Sequence, residues 1–138
     1  MAKQTPVLQK TFMADSAIAR ANLCVVMSGT NAGNVALPAG ALATKFAGIT
    51  QEPVQSGSAT NSVTVMLGGI AQIETDGSAL ITAGDYVSIA NATGQIKSVT
   101  PASGAIVREI VGIALSGASN TAGLLVDVLL QPMVYIGA

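Results

Sequence analysis

The side chains able to do chemistry are few, and their spacing suits little of it. Histidine is absent, which removes Ser-His-Asp and Cys-His nucleophile arrangements, histidine-based zinc sites and the commonest general base. The acids are Asp15, Glu52, Glu74, Asp76, Asp85, Glu109 and Asp127. A paired-carboxylate hydrolase could draw on Glu74 and Asp76, which share a face if they lie on a strand. Beside Gly77, however, ETDG reads more simply as a strand end running into a turn. Sugar hydrolases also need aromatic platforms, and the chain has no Trp, two Phe and two Tyr. Cys24 lies in the apolar run NLCVVM without a His partner or a neighbouring cation, and so reads as a buried structural thiol. ETDGSA and AGDYVSIANATG offer too few oxygen ligands for calcium. MLGGIAQ and SGTNAGN lack the Lys-Ser/Thr pair and following helix of a phosphate cradle. No catalytic, metal or cofactor-binding residue is assigned, and the chain is not expected to be an enzyme.

The densest polar stretch, AGDYVSIANATGQIKS (83–98), is the remaining candidate for a site. It reads better as a hairpin. Gly84-Asp85 enters a strand, Tyr86, Val87 and Ile89 supply it, and Asn91-Ala92-Thr93-Gly94 turns it. Gln95 to Val99 returns, with Lys97 on the wet side. Asp127, inside LLVDVLL, reads as a solvated acid on a wet strand face, against the alternative of an ion pair with Arg108 across a subunit boundary.

These residues must be positioned by a chain of unusual composition. Its 138 residues suit one domain with one core. Half are hydrophobic, yet only 9% are charged, against about 25% in a typical domain. Such a surface is too sparsely charged to stay fully exposed, which points to burial against other chains. A net charge of −1, with Lys3, Lys10, Arg20, Lys45, Lys97 and Arg108 scattered, gives no nucleic-acid footprint. The most apolar stretch, GLLVDVLLQPMVYIGA, is broken by Asp127, Gln131 and Pro132, so no membrane span is expected. No apolar signal-peptide core precedes Asp15, and the chain is read as soluble and made in the cytoplasm.

Short apolar runs alternate with Gly, Ser, Asn, Thr and Pro: LCVVM (23–27), NVAL (34–37), FAGIT (46–50), SVTVML (62–67), IAQIET (70–75), DYVSIA (85–90), QIKSV (95–99), REIVGIAL (108–115) and LLVDVLL (124–130). Their period-two patterning and turn-rich connections predict an all-β fold: a single compact β-barrel or β-sandwich of short antiparallel strands. PAGALATKF (38–46) allows at most a turn or two of helix. GIT…SGSATNSVTVML and GIA…SGASNTAGLLVDVLL echo each other as two similar hairpins. Residues 1–20 are polar with isolated apolar anchors, and read as an extended N-terminal arm preceding the β-domain of 21–138.

From about Leu23 to Leu130 this order of elements resembles the capsid decoration, or cement, proteins of tailed bacteriophages. The resemblance rests on LCVVMSG…VALPAGALATKFAGIT, on SVTVMLGGIAQIETDGSALITAGDYVSIANATGQIKSV and on IVGIALSGASNTAGLLVDVLL. It implies a structural virion protein on the outer surface of an icosahedral head. As a homotrimer, it would cement neighbouring major capsid protein subunits against internal DNA pressure. It implies no cofactor, small-molecule substrate, nucleic acid or membrane partner. Partner-binding residues are then expected in the arm (Val7, Leu8, Phe12 and Met13) and in the tail (Tyr135). Removing residues 1–13 would leave the barrel folded and weaken shell binding. The other reading is an adhesive or ligand-binding β-module of a phage fibre, tail or surface assembly, which would show an aromatic or polar cluster at its loop tips.

Overall fold

The computed structural model describes residues 5–55, 61–99 and 107–136, with the backbone alone at 5–7, 107 and 135–136. The fold is all-β: among the described residues there is no helix, and one antiparallel sheet curls into an open half-barrel. Its strands are β1 (Thr5–Met13), β2 (Cys24–Met27), β3 (Val35–Ala36), β4 (Phe46–Thr50), β5 (Ser62–Glu74), β6 (Tyr86–Ile89), β7 (Ile96–Val99), β8 (Val107–Ala114) and β9 (Leu125–Ile136). Along the sheet they run β3-β2-β4-β5-β9-β8-β6-β7, and β1 joins by pairing with β5.

β5 is the spine of this arrangement. Met66 pairs with Ile49 of β4 and with Gln9 of β1, and Gly69 pairs with Leu130 of β9 and with Pro6 of β1. A strand has two edges, so β4 and β9 follow one another along the first and β1 occupies the second. The sequence suggests a glycine break between SVTVML and IAQIET; the chain instead runs through as one strand. Leu67 is left unpaired on β5 and Val7 on β1, and Gly69 adopts a φ of 101°. That positive φ suits glycine. The extra residue reverses which face the odd positions occupy. Val63 and Val65 point into a smaller core cluster with Ile18, Leu23, Val25, Val35 and Val54. Past the bulge, Ala71 and Ile73 point into a larger one with Ile49, Ile81, Val87, Ile89, Ile96, Val126 and Val128. Two cores therefore form on opposite faces of one sheet, with β2 buried on both: Cys24 and Val26 on one side, Val25 on the other.

The β6–β7 hairpin forms as its residues predict. Ile89 pairs with Ile96 and Tyr86 with Val99. Asn91 Oδ1 accepts the Thr93 and Gln95 amides at 3.0 and 3.3 Å. Asp85 caps the strand entry, accepting the Thr82 amide at 2.9 Å and the Ser98 hydroxyl at 3.1 Å. Gly94, at a φ of 94°, brings its carbonyl against β2, where it accepts the Cys24 amide at 2.7 Å.

Two further stretches are shaped by contacts remote in sequence. PAGALATKF forms no helix, because Leu42 and Lys45 take left-handed φ values of 58° and 64°. The turn is held from outside: Glu109 of β8 accepts the Lys45 and Phe46 amides at 3.0 and 2.8 Å. The QPMVYIGA tail extends β9 through Ile136 along β8 of the same chain. Pro132 is tolerated because Ile110 pairs with Met133 and Gly112 with Leu130, which places the proline in a bulge where no ladder donor is needed.

Candidate functional site

Four of the five expected partner-binding residues lie together on β1, within nine residues that pair with β5 of the same chain rather than standing free. The arm is extended, as its sequence implies, and its isolated apolar anchors are also ladder positions. Leu8 is 57% exposed and Met13 46% exposed. Phe12 is half-buried against the smaller core, with the Lys10 ammonium 5.1 Å from its ring centroid. The Val7 and Tyr135 side chains lie outside the described residues. Tyr135 pairs through its backbone with Arg108, beyond Leu130, the last residue of β9 paired to β5. The structure therefore separates the tail position from the arm positions.

The arm is also pinned after its strand. Beyond β1, Ala14 bridges to Val35 and Ile18 bridges to Val54. The Asp15 carboxylate accepts hydrogen bonds from the Ser28 hydroxyl and from the Asn31 and Asn34 amides, the latter two at 2.9 and 3.0 Å. Those bonds, led by Ser28, hold its carboxyl below the usual value. Arg20 then forks onto Glu74 of β5, with Nη2 2.9 Å from Oε1, and Gln95 donates to the same oxygen at 3.0 Å. This pairing, chiefly the hydrogen bonds from Arg20, pulls the Glu74 carboxyl down against the opposing effect of burial.

These bonds also show how the two acids weighed for a hydrolase are held. Glu74 is held by Arg20 and Gln95, whereas Asp76 caps the next turn through the Ser78 amide and hydroxyl at 3.0 and 2.8 Å. The two acids serve different local structures. Cys24 is fully buried, and that burial pushes its thiol far up from its ordinary value, leaving it protonated and unreactive.

What the sequence reading missed is a face rather than a residue. Val99, Tyr86, Ile113, Leu129 and Ile70 are consecutive partners across β7, β6, β8, β9 and β5. Their neighbours Val87, Ala114, Val128 and Ala71 fill the larger core. By alternation, the row points away from that core and forms an apolar line across the outside of the sheet. Tyr86 and Leu129 are 37% and 38% exposed, and Leu125, on the same side of β9 as Leu129, is 45% exposed. The signal was present in LLVDVLL, where leucines stand on both faces of the strand.

Asp127 departs from its expected role as a solvated acid. It sits between Leu125 and Leu129 on that outer side but is only 8% exposed. Its amide donates to the Ser116 hydroxyl at 3.0 Å, its carbonyl accepts the Leu115 amide, and Gln72 lies opposite. Compared with models of known protein families and with curated proteins, the sequence matches none.

Proposed function

We propose that this chain is a non-enzymatic structural protein of a tailed-phage virion. In this reading it binds the outside of the icosahedral head as a homotrimer and cements neighbouring major capsid subunits. The observation that carries the reading is the outward apolar row, exposed at Tyr86 and Leu129 with Leu125 beside them, on a chain with so few charges. Contiguous apolar surface of this kind marks contact with another protein. The resemblance of the 23–130 element order to decoration proteins supplies the identity of that partner.

The open edges of the sheet supply a second mode of contact. Among the described strands β1 pairs with β5 alone, which leaves its other edge for a strand of a neighbouring subunit, with Leu8 and Met13 exposed along it. A trimer bridging several subunits binds multivalently, so that modest contacts, each on the scale of about 800 Å² per partner, sum to firm retention. Clamping the junction raises the work needed to separate subunits under outward pressure.

Electron microscopy of purified virions tests the proposal. Added density on the head surface at threefold or quasi-threefold positions, fitted by this half-barrel, is the expected result. Location of the chain in tail fibres, or its absence from heads, would overturn it.

A further inference from the structure

An open depression of about 180 Å³ lies on the sheet beside the apolar row, lined by Ser78, Ala79, Lys97, Ser98, Val99 and Arg108. It is smaller than the roughly 300–1,000 Å³ of pockets for drug-sized ligands, and fits one small group. Two of the chain's six basic residues meet there, although the sequence scatters them. Neither the Lys97 nor the Arg108 side chain makes an ion pair or hydrogen bond among the described residues. Arg108 Nε is shut off from solvent and still has no acceptor. Ser88, directly across the ladder from Lys97, has a fully buried hydroxyl that is also without a partner. Buried donors are nearly always satisfied, and leaving a charged one unmet costs more than leaving a neutral one. Arg108 belongs to the lining of the depression, and its unmet Nε there indicates an acceptor-bearing ligand.

We infer that Lys97 and Arg108 form a carboxylate-binding site. A guanidinium fork matches a carboxylate bidentately, and the lysine adds a point charge beside it. The rim selects the charge of the ligand. Two of its lining serines are bonded to carboxylates: Ser98 donates to Asp85, which also accepts the Thr82 amide, and Ser78 donates to Asp76. Carboxylates one hydrogen bond behind the lining disfavour a dianion such as phosphate more than a monoanion. Because Val99 both lines the depression and ends the apolar row, the ligand is an Asp or Glu side chain carried on the surface that the row docks against. The source of the ligand rests on the assembly reading; the site itself does not.

The test uses the isolated full chain and NMR titration of its arginine Nε–Hε and lysine side-chain signals. Sodium acetate and inorganic phosphate are the probes, at ionic strength matched with chloride. Acetate is expected to shift the Arg108 and Lys97 signals saturably. Arg108→Met and Lys97→Met should each weaken that binding by about tenfold or more, with the backbone spectrum otherwise retained. Lys97, on the short strand β7, provides the second variant should Arg108→Met disturb the fold. Saturation by phosphate without acetate would overturn the carboxylate assignment. Saturation by neither would remove the site and leave the docking reading standing, since that is decided on virions.

Discussion

At the scale of single residues, the structure turns on contacts that admit little change. A Cβ on Gly94 would lie 2.5 Å from the Cys24 carbonyl oxygen, at a backbone angle that L-residues rarely adopt. Gly94→Ala is therefore expected to lower stability by about 2–4 kcal/mol, combining overpacking with left-handed strain. The midpoint of urea unfolding reads this directly. Glu74 sets an acid limit. Its folded-state value is depressed below 4.5 by Arg20 and Gln95, so the stabilisation is complete above that pH and is lost as pH falls through the lower folded value. Glu74→Gln should lower stability at pH 7 and flatten its fall between neutral pH and pH 3. A variant whose acid limb matches that of the parent protein would show that Glu74 is not the group responsible. Cys24 should resist thiol reagents in the native protein and react fully once denatured, as a thiol count with and without denaturant would show.

At the scale of elements, β1 revises what truncation does. The sequence implies an arm whose removal spares the barrel, whereas β1 covers one edge of β5 from Ser62 to Ile70 and lays Phe12 on the smaller core. Deleting residues 1–13 is expected to cost at least about 3 kcal/mol, the scale of losing a large core side chain, and chemical denaturation would measure it. An unchanged midpoint would show that β1 does not support the sheet. Much of the fold was legible: FAGIT, the 85–99 hairpin and the strand runs at 23–27 and 108–115 carry alternation or turn chemistry that depends on near neighbours alone. What was not legible depends on partners remote in sequence. TPVLQKTFM lacks clean alternation because a bulge at Val7 shifts its register. Gly68-Gly69 looks like a break until β1 and β9 are seen holding the strand on both sides. The Lys97–Arg108 pair exists only because β6 lies between β7 and β8 in the sheet, an order no local pattern encodes.

For the whole molecule, the relevant quantity is the balance of apolar surface against charge. The outer row offers a place to separate folding from association. Leu129→Lys places a cation within that row, at a position already 38% exposed, so the fold should lose no more than about 0.5 kcal/mol. Self-association and retention on heads should fall together, the first read by sedimentation equilibrium and the second by the protein that remains on washed heads. A variant that still assembles at wild-type concentrations would show that the row is not the contact.

The shared spine also has a consequence in time. β5 begins roughly fifty residues after β1 ends, so at a synthesis rate of about 5–20 residues/s the first strand waits roughly 2–10 s for its partner. β9 follows β5 by a similar interval. The β6–β7 hairpin, by contrast, can close within about 1–10 μs of leaving the ribosome. During the wait β1 is a bare strand with exposed leucine and methionine. Lys10, near its middle, is the charge that discourages pairing with the wrong nascent chain until β5 arrives.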